Sequence, residues 1–240
     1  MSYTRYNESG YYIFGGVNYV DFTGTIVTDD EVDVFIYKLF EERDGGGDDF
    51  WGRFYHGRRI IDNFQKGINI QKHYKYTDDL KIITADVAAL AAGIWREHYT
   101  PIIGAEQVDY MLDKFQSPER IYEDIKRGEY VYFTANCRDE YKMIGYCACE
   151  PKEGYLLLSK LYVKKEYRGR GAARSFLEEA IALCRWEYKL SHIRLTVNKY
   201  NVNSIAAYKK MGFNIVDSVQ TDIGGGFIMD DYVMELTLNH

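Results

Sequence analysis

The sequence predicts an α+β fold: a central, mostly antiparallel mixed sheet of about six to seven strands flanked by helices, behind a small N-terminal module. Three observations carry this. Three strand-like runs, Tyr130–Ala135, Met143–Cys149 and Tyr155–Val163, follow one another across short polar turns, which is the pattern of an antiparallel meander. A strand–helix–strand unit follows, from Tyr155 to Val197, and asks for one parallel crossover. Helical and strand periodicities are regular only from residue 80 onward, so residues 1–79 read as a separate module.

Within 1–79, Tyr11–Phe14 and Val17–Phe22 flank Gly15-Gly16 as a hairpin. Thr28-Asp-Asp-Glu31 has the form of a capping box before Val32, Phe35, Ile36, Leu39 and Phe40 at helical spacing. Phe50–Phe64 reads as a second helix, weakened by Gly52 and Gly57 and bearing His56, Arg58 and Arg59 as a solvated face. The polar stretch 67–79 reads as the linker. Leu80–Thr84 then reads as a strand, and Asp86–His98 and Glu106–Phe115 as helices with one apolar face each. After the meander come an amphipathic helix at Arg170–Tyr188, a strand at His192–Val197, and a short helix at Ser204–Met211 closed by Gly212. Strands at Phe213–Val219 and Ile228–Leu238 finish the sheet.

Composition bounds the function. Of 240 residues, 46% are apolar, enough for a real core. The net charge is −6, and residues 1–80 hold 9 Lys+Arg against 14 Asp+Glu, which argues against nucleic acid as a partner. Four cysteines lack any CxxC or Cys/His spacing, so they read as buried thiols of a cytoplasmic protein and no metal is expected. There is no 18-residue apolar run, so no membrane partner is expected either.

The richest segment runs from Leu161 to Arg174. An apolar strand end, Leu161-Tyr162-Val163, leads into a basic glycine turn, Arg168-Gly169-Arg170-Gly171, and Ala172-Ala173-Arg174 open a helix at once. Glycines admit close approach of an anion, and a helix start offers free N–H groups and a positive dipole end. A Walker loop would need Gly-Lys-Ser/Thr, but Ala172-Ala173 follow the last glycine. A dinucleotide loop would need a third glycine where Arg174 stands.

What remains, Arg/Gln-x-x-Gly-x-Gly/Ala after a strand, resembles the pyrophosphate signature of the GCN5-related N-acetyltransferase superfamily. A second segment, Asn198-Lys-Tyr-Asn201 through Tyr208 to Gly212-Phe213, is similar to that family's Asn-x-x-Ala-x-x-x-Tyr-x-x-x-Gly-Phe run, with Ser204 in place of the usual alanine. The two motifs stand in order, with one helix and one strand between them. The resemblance covers about residues 80–240 and does not reach 1–79.

The resemblance implies acetyl-coenzyme A as co-substrate. Arg168, Gly169, Arg170, Gly171, Ala172, Ala173 and Arg174 would hold its pyrophosphate. The backbone of Leu161, Tyr162 and Val163 would meet the pantetheine and thioester in a splay beside His192–Val197, and Asn201 would bond the pantetheine amides. Tyr208, seven residues beyond Asn201, would be the general acid that protonates the leaving thiolate; a phenol near its ordinary pKa of about 10 suits that role.

The acceptor is less legible. It is expected to be a small primary amine, polyamine-like or amino-acid-like. A protein N-terminus or lysine, or a non-catalytic acyl-coenzyme A sensor, remain open alternatives. Trp95, His98, Tyr99 and Tyr110 are expected to wall its site. Trp95-x-x-His98-Tyr99, Gln107-x-x-Tyr110 and the glycine-rich run into Met229-Asp-Asp-Tyr232 are similar to bacterial acetyltransferases that act on small amines, polyamines among them. Gly224-Gly-Gly226 is expected as a mobile loop over the cleft, and the acids after it are suited to attract a cationic amine. Glu150 and Glu153 are the candidates for a base. A homodimer made through residues 1–79 is a further open alternative.

Overall fold

The computed structural model describes Asn63 and residues 66–238 in full, and the backbone of three short strands nearer the N-terminus. Those three are β1 (Arg5–Tyr6), β2 (Tyr11–Phe14) and β3 (Val17–Asp21). They form an antiparallel sheet of their own, in which Phe14 pairs with Val17. The expected capping box at 28–31 and the helices at 32–40 and 50–64 (Asn63 apart) lie outside the described residues, as do His56, Arg58 and Arg59.

The chain divides into two compact units, Met1–Asp62 and Asn63–His240. The larger unit starts before the expected boundary at 79/80. Residues 68–73, read as linker, are strand β4 (Ile68–His73). Ile68 and His73 are buried, and all six residues pair antiparallel with the next strand, β5 (Val131–Cys137). Backbone pairing and two buried ends outweigh the polar side chains between them.

Leu80–Thr84 is corrected from strand to helix. It opens α1 (Leu80–Ile103), whose buried residues Leu80, Thr84, Val87, Ala88, Leu90, Ala91, Ile94 and Trp95 form one helical stripe. The β-branched run at 82–84 had masked that 3.6-residue period. Gly104 ends α1, and α2 (Ala105–Gln116) begins at once. A third helix, α3 (Pro118–Lys126), was missed, though Ser117 caps it through the Arg120 N–H and Pro118 stands at its first turn.

Strands β5, β6 (Lys142–Lys152) and β7 (Tyr155–Val163) form the expected antiparallel meander. Helix α4 (Ala172–Ala182) continues as a π-helical turn at Leu183–Glu187 and leads to β8 (His192–Asn198). Helix α5 (Val202–Lys210) follows, then β9 (Asn214–Gly224) and β10 (Phe227–Thr237). The seven-stranded sheet has the order β4-β5-β6-β7-β8-β10-β9, and only β7 and β8 run parallel.

The core fills both faces of this sheet. Phe176, Leu177, Leu156, Leu158, Val163, Ile193, Leu195 and Phe213 pack on the α4 side. Val87, Ile94, Trp95, Val108, Met111, Ile121, Tyr132 and Tyr146 pack on the side of α1, α2 and α3. Cys147 and Cys149 share the α4 face as free thiols. Among the described residues no helix is long and apolar enough to cross a membrane.

Candidate active site

The site begins with a bulge. Across β6 and β7, Ala148 faces Lys160 while Cys149 faces Leu158, so Ser159 is an extra residue in β7. A bulge bends its strand and increases its twist. The parallel register of β7 and β8 is confined to Leu156↔Ile193 and Leu157↔Arg194, just before that bulge. Beyond it the two central strands part, and the backbone of Leu161, Tyr162 and Val163 borders the opening.

At the open end stands the basic turn. Lys165–Tyr167 make one 3-10 turn, and the Arg168 Nε donates to the Val163 carbonyl at 3.0 Å, tying the turn to β7. Gly171 is the N-cap of α4 with φ 95°, and no side chain caps the helix. Its first turn, with Ala172, Ala173 and Arg174, also lacks an acid. The first N–H groups of α4 therefore have no side-chain cap. Gly145, opposite Val163, lets this corner close: a Cβ there would lie 2.7 Å from the Tyr162 carbonyl oxygen. Arg170 stacks on the Tyr167 ring at 5.0 Å, and Arg174 pairs with Glu178 at 3.1 Å. The Lys66 side chain lies over Gly171, a neighbour that sequence reasoning did not foresee.

An aromatic wall lines the α1 side of the opening. Trp95 and Tyr99, one turn apart on α1, meet the Tyr162 ring of β7 at 5.4 and 6.2 Å, and Tyr162 meets Tyr146 at 5.3 Å. The Tyr99 and Tyr162 hydroxyls are 3.4 Å apart. His98 packs edge-on against Tyr99 at 4.8 Å. Asn201 caps α5 through the Ser204 N–H, and its side chain stands near enough to His98 and Tyr99 to shift both pKa values. Burial, then the Arg168 charge, lowers the His98 pKa, with Asn201 and Glu97 acting against them.

Tyr208 enters from α5, its ring against Phe213 at 5.8 Å. Burial, then the nearby Tyr99, holds its phenol well above the ordinary range. Tyr162 is raised in the same way, with Tyr99 and Tyr208 both in electrostatic reach. All three phenols are therefore protonated at neutral pH, able to donate but not to act as bases.

The fold thus brings Trp95, His98, Tyr99, Tyr162, Arg168, Asn201 and Tyr208 together. Tyr110 is used differently. Its hydroxyl and the Lys114 ammonium both donate to the Ile223 carbonyl, at 2.7 and 2.6 Å, and its ring packs on Phe227. These contacts hold the β9–β10 hairpin to α2 beside the glycine run at 224–226. Glu150 is ion-paired with Lys152, and Glu153 lies in an exposed turn.

One acid stands apart. Asp231 on β10 is buried, its Oδ1 has no hydrogen-bond partner among the described residues, and burial raises its pKa to about 6. Its signal was available: Phe227, Met229 and Asp231 alternate inward along one strand, and an acid at the third place breaks an apolar row.

The acetyltransferase (GNAT) family model matches residues 94–213, half of the chain, from the α1 wall through both sequence motifs. The chain belongs to the GNAT acetyltransferase family. As a GNAT acetyltransferase it has curated relatives that match over nearly their whole length. Uncharacterized N-acetyltransferases of Mycobacterium bovis and Mycobacterium tuberculosis are 27% identical over 150 residues, covering 62% of this chain and 94% of theirs. Among solved structures, the PaiA N-acetyltransferase of Thermoplasma acidophilum in complex with coenzyme A has TM-score 0.57 at 23% identity, covering 71% of this chain and 98% of that one. A GNAT acetyltransferase of Staphylococcus aureus has TM-score 0.52 at 17% identity, covering 72% and 99%. At these identities the structures establish the fold of this GNAT domain.

Proposed function

We propose that this chain transfers the acetyl group of acetyl-coenzyme A to a primary amine of a small molecule, by direct attack within a ternary complex. The observation that carries this reading is the bulged, splayed β7–β8 pair. It stands beside an uncapped helix start, and its Tyr162 has Tyr99 and Tyr208 in electrostatic reach. The coenzyme-bound relative from Thermoplasma supports the choice of donor, since it shares this fold.

In this reading the N–H groups at 171–174 and the Arg168 and Arg170 guanidiniums hold the pyrophosphate by charge-assisted bonds. The freed backbone of Leu161–Val163 pairs with the pantetheine amides, and Asn201 adds a side-chain contact. The amine nitrogen attacks the thioester carbon, the N–C bond forms, and the C–S bond breaks. Tyr208 gives its proton to the departing sulfur. The phenol is protonated at neutral pH, so the proton is present when the thiolate develops.

Thiol release measured against a panel of amines tests the reading, together with Tyr208→Phe. The variant should lose ~10²-fold or more in kcat while its coenzyme affinity stays within about threefold of wild type. Coenzyme binding with no thiol release on any amine would overturn acetyl transfer in favour of a sensor. Wild-type kcat in the variant at every pH would remove Tyr208 as the acid.

A further inference from the structure

We propose that Asp231 is the carboxylate that receives the acceptor, so that the acceptor is a cationic alkylamine bound as its ammonium ion and deprotonated by Asp231. This rests on the acetyl-transfer reading above and names the half of the reaction that Tyr208 does not serve.

The argument starts from two adjacent acids with opposite fates. Asp230 is ion-paired with Lys199 at 2.5 Å. Asp231 points to the other face of β10, where Phe227 and Met229 pack with the α1 and α2 core. There it is 4% exposed, and its Oδ1 makes no hydrogen bond among the described residues. A buried carboxylate oxygen without a donor is costly in a native protein and calls for an explanation. Asp231 pairs in register with Asn198, the last residue of β8, which places it at the open end of the splay. It also lies within electrostatic reach of Tyr99, whose phenol it helps to raise after burial.

The other groups facing Asp231 do not satisfy it. The Tyr99 hydroxyl on α1 lies 3.4 Å from that of Tyr162. Lys199 is held by Asp230. Burial, then the Asp230 charge, raises the Asp231 pKa, and the Lys199 charge lowers it in part. An ammonium ion entering beside Trp95, Tyr99 and Tyr162 would meet three aromatic rings and this one free acid. Aromatic faces attract cations, and the acid supplies the matching charge.

The protons balance. The acceptor arrives as R–NH3+, and Asp231 takes one proton to leave the neutral amine. After attack on the thioester carbon, the nitrogen sheds a second proton, which restores the phenol that Tyr208 spent on the thiolate. The third stays on the amide. Asp231 then returns its proton to solvent. A carboxylate with pKa near 6 is placed to act as such a base around neutral pH.

The test is Asp231→Asn in the full chain, with Asp230→Asn as control, assayed by thiol release with an alkylamine and with an arylamine. An arylamine is already neutral at pH 7 and needs no base. Asp231→Asn should lower kcat/KM for the alkylamine ~10²-fold and abolish the acidic limb near pH 6, while changing the arylamine rate less than about tenfold. Asp230→Asn should stay within about threefold of wild type on both, and coenzyme affinity should be unchanged in each variant. Equal losses on the two amines would mean a merely structural role and overturn the assignment. So would an unaltered alkylamine profile. If wild type binds coenzyme but acetylates neither amine, the acetyl-transfer reading fails, and this one with it.

Discussion

A side chain at position 171 would meet two obstacles at once. The Gly171 φ of 95° lies in the left-handed region that L side chains rarely adopt, and a Cβ there would sit 3.1 Å from the Lys66 Cδ. The first costs ~1–2 kcal/mol. The second is cheaper, because the lysine chain is flexible and can swing away. Gly171→Ala should therefore fold and weaken coenzyme binding ~10-fold, in step with that strain. Gly171→Glu adds a negative charge at the helix start and should leave no binding that calorimetry detects; near-wild-type affinity would place the pyrophosphate elsewhere. These glycines were legible because backbone geometry demands them at fixed spacing. Asp231 was only half legible, as one of two neighbouring acids. What separates the two is Lys199, which pairs with Asp230, while the Asp231 Oδ1 has no hydrogen-bond partner among the described residues.

Strand β4 shows the same limit at the next scale. Ile-Asn-Ile-Gln-Lys-His has little apolar content to announce a strand, and its place is set by β5, some sixty residues away. Non-local pairing of this kind overrides local propensity. By contrast β5, β6 and β7 carry their own apolar alternation and were read to within a few residues. His73 at the end of β4 gives this strand a pH signature. Its Nε2 lies 2.8 Å from the Thr134 hydroxyl of β5, and burial lowers its pKa from 6.5 to about 4. The unfolded chain takes up the proton near pH 6.5 and the folded one only near 4. Stability from the neutral ring is therefore complete above 6.5 and drains away as pH falls through that window, by up to ~3 kcal/mol. His73→Gln, which does not titrate, should flatten the acid side of a stability profile measured by urea unfolding between pH 7.5 and 4.5. Parallel profiles for the two proteins would mean that His73 is not held neutral.

On the scale of the whole molecule, β4 decides where the acetyltransferase unit begins. The sequence pattern sets the boundary at residue 79, and the GNAT match begins later still, at residue 94. Contacts place it after Asp62, because β4 closes one edge of the seven-stranded sheet. A fragment of residues 80–240 would lose Ile68 from the core and expose the β5 backbone from Tyr132 to Cys137, an unprotected edge of the kind that recruits other chains. It would also lose Lys66 from beside the cradle. A fragment of residues 63–240 keeps both. We expect the longer fragment to melt in one cooperative transition, to elute as a defined species and to bind coenzyme within about threefold of the full chain. The shorter one should aggregate or melt about 10 °C or more lower, since a buried strand is worth several kcal/mol and each shifts the midpoint by a few degrees at this size. Equal melting of the two fragments would show that β4 is dispensable. A deficit in the 63–240 fragment relative to the full chain would instead measure what residues 1–62 add to the enzyme.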